Sequence, residues 1–163
     1  MSVGVELVPL SMLIATSFAG GLSLFDVKKQ AKERNKNNPP QKNVVEIPSY
    51  ILPTVFTDKE TLLKTLDNLG LCYTEKNGKI ETSIQNCKIE FFKESESFSM
   101  QITGNVDIDK AWEEYTQITD GYGQVVQSEV INNIKEKVSQ SSSFSLESEE
   151  VQEDNSVVIT INI

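Results

Sequence analysis

Leu71-Cys72-Tyr73-Thr74-Glu75-Lys76-Asn77-Gly78-Lys79-Ile80-Glu81-Thr82-Ser83-Ile84 reads as two short strands joined by Asn-Gly, the favoured two-residue hairpin turn. Ile80, Thr82 and Ile84 alternate with Glu81, Ser83 and Gln85, which gives one apolar and one polar face. Gln85-Asn86 turns the chain into Cys87–Lys93, and Glu94–Glu96 turns it again. Phe98, Met100 and Ile102 then alternate with Ser99, Gln101 and Thr103. The spacing predicts an antiparallel meander of four strands with one face solvated.

Helical signals flank this meander. Thr57-Asp58-Lys59-Glu60 has the form of a capping box, with the Thr57 hydroxyl accepting from an amide of the first turn and Glu60 reaching back. Leu62, Leu63, Leu66 and Leu69 follow on one helical face, and Gly70 supplies the stop. Downstream, Asp107 or Asp109 caps a helix through Ala111, Trp112, Tyr115 and Ile118, which Gly121 and Gly123 are expected to interrupt. A second helical stretch carries Val126, Val130, Ile134 and Val138. Ser139–Ser143 is a polar break, after which Phe144–Val151 is expected to pair with Ser156–Ile163 across Glu153-Asp154-Asn155. Val157, Ile159, Ile161 and Ile163 share one face of the last strand. The predicted class is α+β: one antiparallel sheet packed with helices, in the order helix, four strands, helices, two strands, plus an N-terminal apolar helix.

That N-terminal helix is expected from residues 7–25, Leu-Val-Pro-Leu-Ser-Met-Leu-Ile-Ala-Thr-Ser-Phe-Ala-Gly-Gly-Leu-Ser-Leu-Phe, which carry no charge. About 20 residues at ~1.5 Å each cross a hydrocarbon core ~30 Å thick. Lys28, Lys29, Lys32, Arg34 and Lys36 follow, and the positive-inside rule then places the remainder of the chain in the cytoplasm. Two other readings stay open: a helix used for oligomer contacts in a soluble assembly, and a signal peptide, which lacks the usual positive start. The organisation expected is an anchor-like helix over 1–26, a basic polar linker over 27–43 ended by Pro39-Pro40, and an acidic α+β domain over 44–163. Val44–Pro53, with Pro48 and Pro53, reads as an edge strand or a strapped segment.

Charge divides unevenly. Residues 1–45 carry six basic and three acidic side chains and residues 46–163 nine and 21, balances of +3 and −12. Such a domain repels nucleic acid, whose phosphates need clustered Lys and Arg, and suits a protein partner. Histidine is absent from the chain, which removes the commonest general base and metal ligand. Cys72 and Cys87, 15 apart, form no metal-ligand pattern; they bridge in an oxidising compartment or stand as free thiols in a reducing one.

The order of elements resembles the ycf-thirty-five-like family, typified by a hypothetical chloroplast reading frame and its cyanobacterial relatives. The resemblance rests on Thr57–Gly70, the strands to Thr103, Tyr122-Gly123-Gln124-Val125-Val126, and Glu149-Glu150 through Ile163. It covers about residues 53–163. The chain lacks the tryptophan- and glycine-rich strand centre associated with that family and adds the apolar extension. The family has no established activity, so the resemblance implies a fold and no functional residue.

Carboxylates come in groups: Glu94 with Glu96, Asp107 with Asp109, Glu113 with Glu114, and Glu147 with Glu149 and Glu150. Acid/base catalysis needs two carboxylates converging in a cleft, whereas these sit in turns, caps and strand ends. Gly121-Tyr122-Gly123 follows a helix and lacks the Lys-Ser/Thr of a phosphate loop. Trp112 with Tyr115 reads as core, and Ser141-Ser142-Ser143 has no base beside it. No catalytic, cofactor or metal residue is assigned. The expectation is a non-enzymatic, membrane-anchored interaction or scaffold protein whose acidic cytoplasmic domain docks protein partners, by strand addition at the final strand or at Val44–Ile51. One alternative is a small-molecule-binding or enzymatic domain with a pocket lined by Phe91, Phe98, Trp112 and Tyr115. Another is a subunit of a soluble assembly that uses residues 1–26 for oligomer contacts.

Overall fold

The computed structural model describes residues 1–7 and 47–163. Among these residues the elements are strands β1 (Ser2–Leu7) and β2 (Ser49–Pro53), helix α1 (Lys59–Asn68), strands β3 (Tyr73–Lys76), β4 (Lys79–Ile84), β5 (Cys87–Glu94) and β6 (Ser97–Gly104), helix α2 (Ile108–Gln140), and strands β7 (Ser145–Val151) and β8 (Val157–Asn162). They build two antiparallel sheets, one of five strands in the order β2-β6-β5-β4-β3 and one of three in the order β1-β8-β7.

The expectation of one sheet and an N-terminal apolar helix is therefore corrected. The last two strands make a second sheet rather than extending the meander, and their third strand comes from the chain start. Ser2–Leu7 alternates Val3, Val5 and Leu7 with Ser2, Gly4 and Glu6, the two-residue period of a strand, and pairs with β8 from Ser2↔Asn162 to Leu7↔Val157. This also overturns the single-pass membrane arrangement: residues 2–7 and the last strand of the acidic domain share one sheet, so they cannot lie on opposite sides of a bilayer. No helix among the described residues is long and apolar enough to cross a membrane. Residues 8–25 of the expected anchor, the linker 27–43 and Val44–Glu46 lie outside the described residues.

Within the five-stranded sheet the hairpin turn forms at Asn77 and Gly78, both with positive φ (53° and 76°), as a primed turn requires. Tyr50, Ile102, Ile89 and Thr82 form one row across β2, β6, β5 and β4, and Leu52, Met100, Phe91 and Ile80 form the next. These side chains are buried against Leu62 and Leu66 of α1 and Ala111, Tyr115, Ile118 and Tyr122 of α2, with Phe56 filling the gap. The opposite face is polar, laced by ion pairs of Lys88 with Glu81 and Glu90. β2 is an edge strand, which accommodates its proline.

Helix α1 is capped one residue later than expected. Asp58, not Thr57, is the N-cap, and its carboxylate accepts from the Thr61 amide at 2.7 Å and the Thr61 hydroxyl at 2.9 Å. α2 runs unbroken for 33 residues through Gly121 and Gly123, where an interruption was expected. A Cβ on Gly121 would stand 3.2 Å from Thr65 Cγ2 and 3.3 Å from Leu69 Cδ1, so the glycine lets α1 and α2 approach closely. The neighbouring Tyr122 hydroxyl accepts from the amides of Thr57 and Asp58, both at 3.3 Å, and its ring stacks on Phe56 at 4.4 Å.

Candidate interaction surface

In the three-stranded sheet, strand alternation separates two faces. Ser2, Gly4 and Glu6 of β1 align with Asn162, Thr160 and Val158 of β8 and with Ser145, Ser148 and Glu150 of β7. This face is polar, and Ser2 Oγ donates to Glu147 Oε2 at 2.6 Å. On the other face lie Val3, Val5 and Leu7, then Ile161, Ile159 and Val157, then Leu146 and, past a bulge between Leu146 and Ser148, Glu149 and Val151.

The second half of α2 covers only part of that apolar face. Gln127 Nε2 donates to the carbonyls of Leu7 and Asn155, Lys135 pairs with Glu149, and Val138 packs down as the last buried residue of the helix. Val157 and Ile159 are buried beneath it. Toward the other end of the sheet the apolar side chains become more exposed. The row Val3, Ile161, Leu146 is only partly covered, with Val3 47% and Leu146 43% exposed. One row further out, Met1 and Ile163 exchange backbone hydrogen bonds, and Phe144 precedes Ser145, so by register it falls beside Ile163. There Met1 is 95%, Ile163 54% and Phe144 46% exposed. Scattered apolar exposure needs no explanation; here two adjoining rows of three apolar residues share one sheet face.

The four sheet edges among the described residues differ in how they resist further pairing. β2 carries Pro53; β3 has four residues, including Glu75 and Lys76; β7 has its bulge and Glu147, Glu149 and Glu150. β1 has neither proline, lysine nor bulge, and its single charge is Glu6. Edge strands lacking those features are templates for another strand. β8, expected as an exposed edge, is paired on both sides and offers none.

The other sequence candidates are structural. Asp107 caps α2 through the Lys110 amide at 2.8 Å, with Asp109 in the first turn. Glu94 accepts from Ser99 Oγ at 2.6 Å, and Glu96 is exposed. Glu113 is exposed and pairs with Lys110 at 3.1 Å, whereas Glu114 is 2% exposed. Lys110 Nζ approaches Glu114 Oε1 at 3.1 Å as an ion pair without the angle of a hydrogen bond, and neither Glu114 oxygen has a hydrogen-bond partner. Glu114 was readable as an outlier, since it falls on the Ala111–Tyr115–Ile118 stripe. Its charge and the burial of Cys87 push that thiol upward, burial first, against the opposing effect of Lys110. Cys72 is exposed, Cys87 is buried, and both are free thiols.

Phe91, Phe98 and Tyr115 are buried core residues rather than a pocket lining; Trp112 stacks on Tyr115 at 5.0 Å, and Tyr115 donates to the Pro53 carbonyl. Ser141 is the C-cap residue of α2. Among the described residues no group of three His, Cys, Asp or Glu side chains could hold a metal ion. A polar cleft of about 310 Å³ between α1 and α2 is lined by Lys64, Gln124, Ser128 and Asn132 and bridged by Lys64–Glu129 at 2.6 Å.

Comparison of the chain with protein-family models, with curated proteins and with solved structures finds no match.

Proposed function

We propose that this chain is a non-enzymatic interaction subunit. The five-stranded sheet, α1 and the first half of α2 form its structural body, and the three-stranded sheet presents a docking surface to a protein partner. The observation that carries this reading is the exposed apolar patch of Met1, Val3, Phe144, Leu146, Ile161 and Ile163 on one face of the small sheet. Apolar area of this kind is removed from water at about 25 cal/mol per Å², and a protein surface is the occupant that also satisfies the strand edge beside it. The 9 basic and 21 acidic residues from 46 onward keep the rest of the domain hydrated. The resemblance to the ycf-thirty-five-like family adds no residue role, because that family has no established activity.

A photo-crosslinking amino acid placed at Leu146 in full-length protein, in its own cells, tests the reading. The expected result is a discrete protein adduct at Leu146 that is missing when the same probe stands at exposed Thr74, on β3 at the edge of the other sheet. Equal yields at the two positions, or no adduct at either, would overturn it.

A further inference from the structure

Resting on the docking reading above, we propose that the docking unit is a dimer, in which a second copy of this chain pairs through the outer edge of β1 about a two-fold axis centred on Gly4 and the exposed apolar rows of both copies face the partner together.

The hydrogen-bond parity of β1 supports this. Met1 and Ile163 exchange both backbone bonds, so along the antiparallel ladder Val3, Val5 and Leu7 also point their amides and carbonyls at β8. Ser2, Gly4 and Glu6 point theirs away from it, where among the described residues no strand pairs with them. For two copies to join their sheets with apolar faces on the same side, residues opposite each other must share a face. A two-fold axis through Gly4 meets that condition and sets Gly4 against Gly4, Ser2 against Glu6 and Val3 against Val5 of the second copy. All three outward-pointing residues of each chain then pair, making about six backbone hydrogen bonds.

Charge fits the same register. Glu6 is the only ionised side chain of the strand and falls opposite an uncharged serine, not opposite its own counterpart. Shifting the axis to Val5 sets Gly4 against Glu6 and moves Ser2 past the described end of the second copy's strand. The joined sheet has six strands, order β7-β8-β1-β1-β8-β7, with a protected β7 at each outer end. Association closes at two copies, since the remaining edges carry a bulge and three glutamates. The face holding the exposed apolar rows becomes continuous across both copies.

Gly4 offers a sharp test, because a Cβ built there meets nothing within 4 Å. Light scattering after size exclusion, over about a hundredfold range of full-length protein concentration, is expected to show wild type at twice the chain mass. Gly4→Glu and Gly4→Lys each set like charges face to face and are expected to run as monomers with unchanged circular dichroism. An equimolar mixture of the two is expected to dimerise again. A Gly4→Cys, Cys72→Ser variant provides a second readout: a hydrogen-bonded antiparallel pair holds Cα atoms ~5.5 Å apart, within disulfide reach, so mild oxidation yields a covalent dimer. The control Ile51→Cys, Cys72→Ser, on the edge strand β2, is expected to yield none.

Wild type at single-chain mass throughout, or a dimer that survives both charged substitutions, overturns the self-pairing. If that monomer still forms a discrete adduct with a different protein at Leu146, self-pairing alone has failed. Loss of that adduct as well removes the docking reading itself.

Discussion

Lys110 Nζ stands 3.1 Å from Oε1 of Glu114, one helical turn away, and it is the only ion pair of that buried carboxylate among the described residues. A buried charge that loses its partner is strongly destabilised, whereas removal of both charges is often tolerated. Lys110→Met is therefore expected to lower the urea midpoint more than the double variant Lys110→Met, Glu114→Met does. A larger fall in the double variant would show that the pair is net stabilising and that burial of the carboxylate is compensated elsewhere.

The close approach of α1 and α2 at Gly121 predicts a graded response. Gly121→Ala gains up to ~1 kcal/mol of helix propensity and spends it on moving Thr65 and Leu69 by a few tenths of an ångström, so it should fall within ~1 kcal/mol of wild type. Gly121→Leu must separate the helices and is expected to cost about 1–3 kcal/mol. Chemical denaturation of the two variants measures both.

Asp58→Ala removes the cap of α1 and should cost about 1 kcal/mol near neutral pH. Hydrogen bonds from the Thr61 amide, then from its hydroxyl, hold the Asp58 carboxyl below its ordinary value. A lowered folded value means that the contribution is present above the unfolded value of about 3.9 and is lost as pH falls through the folded one. The stability gap between wild type and Asp58→Ala should accordingly be flat from neutrality to about pH 5 and close below pH 4. A gap independent of pH to the acid limit would show that the capping does not depend on the charge.

Thiol titration of the native protein is expected to find one reactive group, Cys72, and to find the second, Cys87, only on unfolding. Cys87 is buried, and burial followed by the Glu114 charge disfavours its thiolate. Rapid modification of both in native conditions would mean that β5 opens locally.

Signals confined to a few neighbouring residues were legible. Asn77-Gly78 and the alternation through Ile84 and Ile102 depend on a two-residue period and a local turn, and both appear in the five-stranded sheet. The pairing of residues 2–7 with 157–162 was not, because no local feature links segments so far apart. The uncharged run after Leu7 also drew attention from the shorter alternation Val3-Gly4-Val5-Glu6-Leu7. Gly121 and Gly123 looked like a break because glycine lowers helix propensity, and helix packing overrode it. Of the candidate surface, the shared face of Val157, Ile159, Ile161 and Ile163 was readable. That Ile161 and Ile163 stay partly exposed while Val157 and Ile159 are buried depends on how the rest of the chain packs on the sheet, which only the tertiary arrangement sets.

Helix α2 is a continuous rod, about 50 Å long at ~1.5 Å per residue, held to α1 from the Gly121 contact to the Lys64–Glu129 ion pair and extending ~16 Å beyond that pair. A rod held in this way has the shape of a mechanical lever with its fulcrum at the ion pair. A tilt of about 5° there displaces the far end by ~1.4 Å over that length and carries the exposed rows of the small sheet with it. Strain applied to α1 is thereby delivered to a surface that α1 does not touch.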